Sequence, residues 1–127
     1  MIRAYAALVG IVLVAVGLLG FISNPIVGDG NALFLTGTVH NIVHLATGAL
    51  ALAIAFVLPA DRQMNGVIGF GVLYLVVFVS QLVSPTLFGL LSYPVNVADQ
   101  LLHIGLAVVS FLVAWTARRG RYTTATA

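Results

Sequence analysis

Three histidines and one aspartate are the groups with ordinary metal-ligand chemistry inside the apolar stretches of this sequence. His40 and His44 are four residues apart, and so are Asp99 and His103. On a helix that spacing puts both side chains on one face. Two histidines at i and i+4 are one way a helix holds a metal ion. Three imidazoles and a carboxylate suit Zn²⁺ or another divalent transition metal such as Cu²⁺, Ni²⁺ or Fe²⁺. Haem b held by His44 and His103 in a bundle core is a second chemistry open to the same residues. A proton-linked path is a third, because ionisable groups inside a membrane are functional candidates. The same four residues also have a structural reading. Histidines that bond between helices fix a bundle at roughly 0.6–2 kcal/mol each. Asp99, three residues after Asn96, has the pattern of a helix N-cap.

The remaining composition narrows the field. There is no Cys, hence no disulfide, thiolate ligand or thiol nucleophile. There is no Glu, no phosphate-binding glycine loop and no Ser/His/Asp arrangement, so the chain is not expected to be an enzyme. Five Arg and no Lys give a net charge of +2, which is not a nucleic-acid footprint; its meaning lies in where the Arg sit. Ser80 and Gln81 are placed to cap the end of a helix, with lining of the polar cluster as the other option. The Tyr74 hydroxyl, in mid-span, needs a partner.

The elements that must position these residues follow from the hydrophobic content. Of 127 residues, 61% are hydrophobic and 6% charged, against about 25% charged in soluble domains. So much apolar surface cannot be hidden in a small soluble domain. Crossing the hydrocarbon takes about 20 mostly apolar residues. Four segments qualify, at about 4–22, 38–58, 66–83 and 98–117, separated by Asn24-Pro25, Pro59, Ser84-Pro85 and Pro94. The first is expected to be retained as a span, because its apolar run is long for a signal peptide and no A-x-A site follows. Residues 123–127, rich in Thr and Ala, are expected to fray.

Arg3, Arg62, Arg118, Arg119 and Arg121 all fall on one side of such a four-span chain. The positive-inside rule makes that side cytoplasmic, with both termini inside. Tyr5, Trp115 and Tyr122 are placed as interfacial aromatics on that side, and Tyr93 on the other.

Spans two and four share a pattern. His40, His44, Gly48, Ala51 and Ala55 recur 59 residues later as Asp99, His103, Ala107, Ser110 and Ala114. These positions trace one helical stripe, polar at its outer end and small thereafter. Gly10 aligns with Gly69 at the same offset. A tandem duplication of a two-helix hairpin accounts for the pattern. Its pseudo-twofold axis would run along the membrane normal, with spans two and four facing each other.

At His40-Asn41-Ile42-Val43-His44-Leu45, followed by Gly48, the chain resembles a family of small prokaryotic membrane proteins known as domain of unknown function 4383. Asp99…Leu102-His103 is similar to that family's second signature. The resemblance covers nearly the whole chain. It implies a four-span protein of a prokaryotic cytoplasmic (inner) membrane and no particular reaction. A more distant similarity, of architecture only, is to DoxX-like proteins, and architecture does not fix function.

The expectation is therefore an all-α integral membrane protein, a four-transmembrane-helix bundle with both termini cytoplasmic. The first functional reading is a structural, accessory or oligomerising bundle, its polar cluster fixing helix register. The second is a metal- or haem-binding protein using His40, His44, Asp99 and His103. The partners expected are the lipid bilayer and a second copy or a membrane-complex component, with no nucleic acid.

Overall fold

In the computed structural model the chain folds into four long helices, α2 and α3 joined by a short turn and the other pairs by longer connections. They are α1 (Ile2–Leu19), α2 (Thr38–Phe56), α3 (Gln63–Val83) and α4 (Val97–Ala125). The structure describes residues 1–125, with side chains as far as Gly120; the tail expected to fray, 123–127, falls outside the described side chains. All four helices are long and apolar enough to cross a membrane. At a rise of about 1.5 Å per residue, an 18-residue helix covers roughly 27 Å, close to the hydrocarbon thickness. Large apolar side chains such as Leu8, Ile11, Leu18, Val76, Leu101 and Leu112 face outward. That is the arrangement expected where lipid is the solvent.

Packing is densest within two hairpins, α1 with α2 and α3 with α4. Both are antiparallel, because residues early in one helix meet residues late in the other. Small residues set the approach in each. A Cβ on Gly10 would lie 2.9 Å from the Gly48 carbonyl oxygen and 2.7 Å from Leu52 Cγ. A Cβ on Gly48 would lie 2.8 Å from the Val14 backbone nitrogen. In the second hairpin, a Cβ on Gly71 would lie 3.0 Å from Ser110 Cβ and 3.3 Å from the Ala107 carbonyl oxygen. Gly69, the position aligned with Gly10 in the sequence, has nothing within 4 Å. The close approach in α3 thus falls at Gly71, two residues from the aligned site.

Both stripes turn inward. His40, His44, Gly48, Ala51 and Ala55 are buried, as are Asp99, His103, Ala107, Ser110 and Ala114. Below the polar ends lies an apolar core that includes Val9, Leu13, Ile54, Val67, Phe70 and Tyr74. Hydrogen bonds cross it between helices. The Tyr5 hydroxyl meets Ser110 Oγ at 2.7 Å, and the Tyr74 hydroxyl meets Thr47 Oγ1 at 2.9 Å. Tyr5, expected at the interface, therefore turns its hydroxyl into the bundle.

The end of the bundle remote from the Arg residues is closed by two ordered connections. After α1, the Asn24 amide nitrogen donates to the carbonyls of Leu19, Ile22 and Val27, and its oxygen accepts from the backbone N–H groups of Ile26 and Val27. This knot satisfies carbonyls at the end of α1. A two-residue parallel pairing, β1 (Val27–Gly28) with β2 (Phe34–Leu35), then leads the chain over the bundle to α2. The α3–α4 connection starts with Ser84 Oγ accepting from Phe88 N–H at 2.8 Å.

The glycine contacts yield a paired expectation. Gly48→Ala should lower stability in detergent by about 1–3 kcal/mol, the usual range for overpacking. Gly69→Ala should leave it unchanged or slightly raised. Thermal unfolding followed by circular dichroism on both variants checks this.

Candidate metal centre

The centre is assembled from three helices. α2 supplies His40 and His44 from its first two turns, with ring centroids 4.7 Å apart and planes inclined at 61°. α4 supplies His103, whose ring lies 6.0 Å from that of His40 and 6.3 Å from that of His44. α3 contributes Gln81 and Tyr74 as walls. The Tyr74 ring is 5.7 Å from His103, and Gln81 Oε1 is 2.7 Å from His103 Nδ1. The i, i+4 spacing on α2 places its two rings together, and the burial of the α4 stripe brings His103 to meet them.

All three imidazoles are almost completely enclosed, at 4%, 3% and 2% exposure for His40, His44 and His103. Each offers one ring nitrogen to a group whose members lie within 4.8 Å of one another. His40 Nδ1 and both nitrogens of His44 are buried and have no hydrogen-bond partner. A neutral imidazole always carries one N–H donor and one acceptor. Leaving such a group buried and unpaired costs about 1–3 kcal/mol. His44 is thus the most strained polar group in the site.

His103 is held differently. Gln81 Oε1 can only accept, so Nδ1 carries the proton and donates. Nε2 is then the nitrogen with a free lone pair. Fixing the tautomer of a ligand histidine through its far nitrogen is the usual task of a neighbour just outside a metal's ligand shell. Gln81 is 1% exposed and lies inside α3, not at its cap, since the helix continues to Val83. Sequence reasoning favoured capping for it. The signal was present as a long amide near the end of an apolar span, level with the histidines.

Asp99 lies apart from the three nitrogens. Its Oδ2 accepts from the backbone N–H of Asn96 at 3.2 Å and of Leu35 at 3.3 Å. Asn96 Oδ1 in turn accepts from Asp99 N–H at 3.0 Å. This is a reciprocal capping box at the head of α4, with Asp in the place of the usual Glu or Gln. The bond to Leu35 ties β2 to α4, and Asn96 Nδ2 adds a bond to the Leu33 carbonyl at 2.8 Å. Asp99 is 1% exposed, so it also leaves a buried carboxylate within a turn of the imidazoles. Asn41, adjacent to His40 in sequence, points the other way and packs its amide against Gly20.

Comparison with known proteins places the chain in a family without assigning it a reaction. A family model described as a domain of unknown function, DUF4383, matches residues 3–116, and the chain belongs to that family. No curated protein matches the chain. No solved structure matches it.

The Gln81–His103 bond gives a thermodynamic expectation. Gln81→Leu leaves a buried imidazole N–H without its acceptor and should cost about 1–3 kcal/mol. Replacing both partners, in Gln81→Leu with His103→Leu, should cost less than the sum of the single changes. Unfolding of the two single variants and the double variant in one detergent measures the coupling.

Proposed function

We propose that this DUF4383 membrane protein binds a single transition-metal ion between His40, His44 and His103, near the end of the bundle remote from its Arg residues. One observation carries the reading. His44 is buried with both ring nitrogens unpartnered, in a group of three imidazoles whose ligand atoms lie within 4.8 Å of one another. An ion would relieve that unpaired state and convert a cost into three bonds.

The distances are compatible with this. Tetrahedral zinc–nitrogen bonds of about 2.0–2.1 Å correspond to nitrogen–nitrogen edges of roughly 3.3–3.4 Å. Ligand atoms within 4.8 Å of one another would have to close by up to about 1.4 Å to meet those edges. Imidazole ligands favour zinc, copper, nickel or iron over magnesium or calcium. The capping carboxylate of Asp99 supplies negative charge close by without being required as a ligand. That carboxylate is taken up by the backbone N–H groups of Leu35 and Asn96, so the reading is one of holding or handling metal.

Haem b is less well served by the same residues. His40 stands 4.7 Å from His44 and 6.0 Å from His103, and Tyr74 stands 5.7 Å from His103. These rings fill the flanks that a macrocycle held by His44 and His103 would need. A structural role has its own support. The bonds Gln81–His103, Thr47–Tyr74 and Tyr5–Ser110 link helices through the same interior. Such bonds hold the frame whether or not an ion is present.

Two features of the setting accompany the proposal. The Arg-rich end is the cytoplasmic one by the positive-inside rule, which puts the histidines near the opposite face of a prokaryotic inner membrane. The hairpins are two copies of one unit. In support, Gly10 closes on the Gly48 carbonyl and Gly71 on the Ala107 carbonyl, and the two carbonyls stand at the 59-residue offset of the stripes.

Elemental analysis of protein purified in detergent, before and after exposure to Zn²⁺, Cu²⁺, Ni²⁺ and Fe²⁺, tests the proposal. We expect about one ion per chain, lost in His44→Leu while helix content is retained. Protein that keeps no ion under any of these conditions rules the reading out, and an absorption spectrum of the same sample with a Soret band would put haem in its place.

A further inference from the structure

At the opposite end of the bundle, a second feature stands apart from the histidines. α3 and α4 part slightly to leave an apolar groove lined by Met64, Ile68, Phe111, Ala114, Trp115 and Arg118. Its origin is visible in the spacing. Met64 and Ile68 are four apart on α3, and Phe111, Ala114 and Arg118 follow at intervals of three and four on α4, so each set shares a helix face. Ala114, small and 4% exposed, sits between the larger Phe111 and Trp115 and leaves the space open. The groove holds about 190 Å³. Its lining runs along both helices, from Ile68 and Phe111 to Met64 and Arg118, and Arg118 is the charged residue among it.

We propose that this groove is a binding site for an anionic phospholipid, with an acyl chain along Met64, Ile68 and Phe111 and the headgroup phosphate on Arg118. A lipid is the occupant whose own axis matches the groove. Its chain lies along the membrane normal, and its charge sits at the level where the helices leave the hydrocarbon. Charge complementarity selects the anionic class. The described charged side chains at this end are Arg3, Arg62, Arg118 and Arg119, against Asp61 alone. The planar guanidinium matches a phosphate through two parallel hydrogen bonds. Arg119 stacks over the ring of Trp115, with its guanidinium carbon 4.0 Å from the ring centroid. That contact fixes a second cation beside the same mouth. Trp115 is 50% exposed and has the amphipathic ring found at the membrane interface.

The test compares phosphatidylglycerol with phosphatidylcholine. Lipid is titrated onto detergent-purified protein and binding is read by native mass spectrometry, with circular dichroism to confirm that each variant is folded. Phosphatidylglycerol should bind preferentially. Arg118→Gln should weaken it about fivefold, the effect of one basic residue at an anionic surface. Phosphatidylcholine binding should not change. Arg118→Lys should fall between wild type and Arg118→Gln, because charge is kept and the two-pronged contact is lost. Arg3→Gln, at the same end on the other hairpin and with its guanidinium over Phe56, should leave phosphatidylglycerol binding intact. Equal binding of the two lipids overturns the proposal. So does an equal loss in Arg3→Gln and Arg118→Gln, which would mean a diffuse surface charge. A dimer that excludes lipid from the groove would also overturn it and assign the face to a second copy of the chain.

Discussion

No water reaches the hydrocarbon of a bilayer, so every polar group carried by a spanning helix must find its partner inside the protein. That constraint organises this bundle. The hydroxyls of Tyr5, Tyr74, Thr47 and Ser110 bond to one another or to backbone carbonyls. Gln63 turns its amide onto the carbonyls of Ala55 and Leu58 at the α2–α3 turn. The carboxylate of Asp99 is taken up by backbone N–H groups at the head of α4. Among the described residues the buried side-chain atoms without a partner are Thr36 Oγ1, Asn41 Oδ1, His40 Nδ1 and both nitrogens of His44, so three of the five are imidazole nitrogens. Three unpaired nitrogens on two adjacent imidazoles, with His103 beside them, are what the proposed ion would satisfy.

The frame that holds these rings depends on small residues. Gly10, Gly48 and Gly71 let helix backbones approach until carbonyl oxygens meet the space a side chain would fill. The hairpins so formed are closely packed at their centres. Their polar stripes can therefore meet at one end and their Arg residues gather at the other. The two ends carry different chemistry. One carries Asp29 on its covering connection and the buried Asp99, and is crowded with imidazole. The other is cationic and open to the lipid through the groove beside Arg118. In the functions proposed for them, the first would take an ion through nitrogen ligands and the second a phosphate through charge and shape.

The four spans are legible in the sequence because lipid imposes a length and a composition that few soluble segments meet. The association of His40, His44 and His103 is legible too, through i, i+4 spacing and the recurrence of one stripe 59 residues on. The capping pattern of Asn96 and Asp99 shows which of the alternatives open to Asp99 is realised in its hydrogen bonds. Gln81 is harder, since a polar residue near the end of a span serves equally well as a cap, and only the position of α4 decides between the two. The Gly10 equivalence misses by two residues because α1 and α3 share almost no side chains to fix their alignment, whereas the carbonyls they meet are set by α2 and α4. The short pairing of β1 with β2 has no sequence signal. It exists because a connection of eighteen residues between α1 and α2 must lie flat over the bundle, and it delivers Leu35 to Asp99.

The central claim is that the three histidines share one ion. X-ray absorption spectroscopy at the edge of the bound metal, on protein loaded with one equivalent of zinc or copper, examines it directly. The account predicts a first shell dominated by three imidazole nitrogens at about 2.0–2.1 Å, with the outer-shell scattering typical of histidine rings. A first shell made mainly of oxygen, or with a single imidazole, would show that the ion sits elsewhere and that the three rings do not form its site.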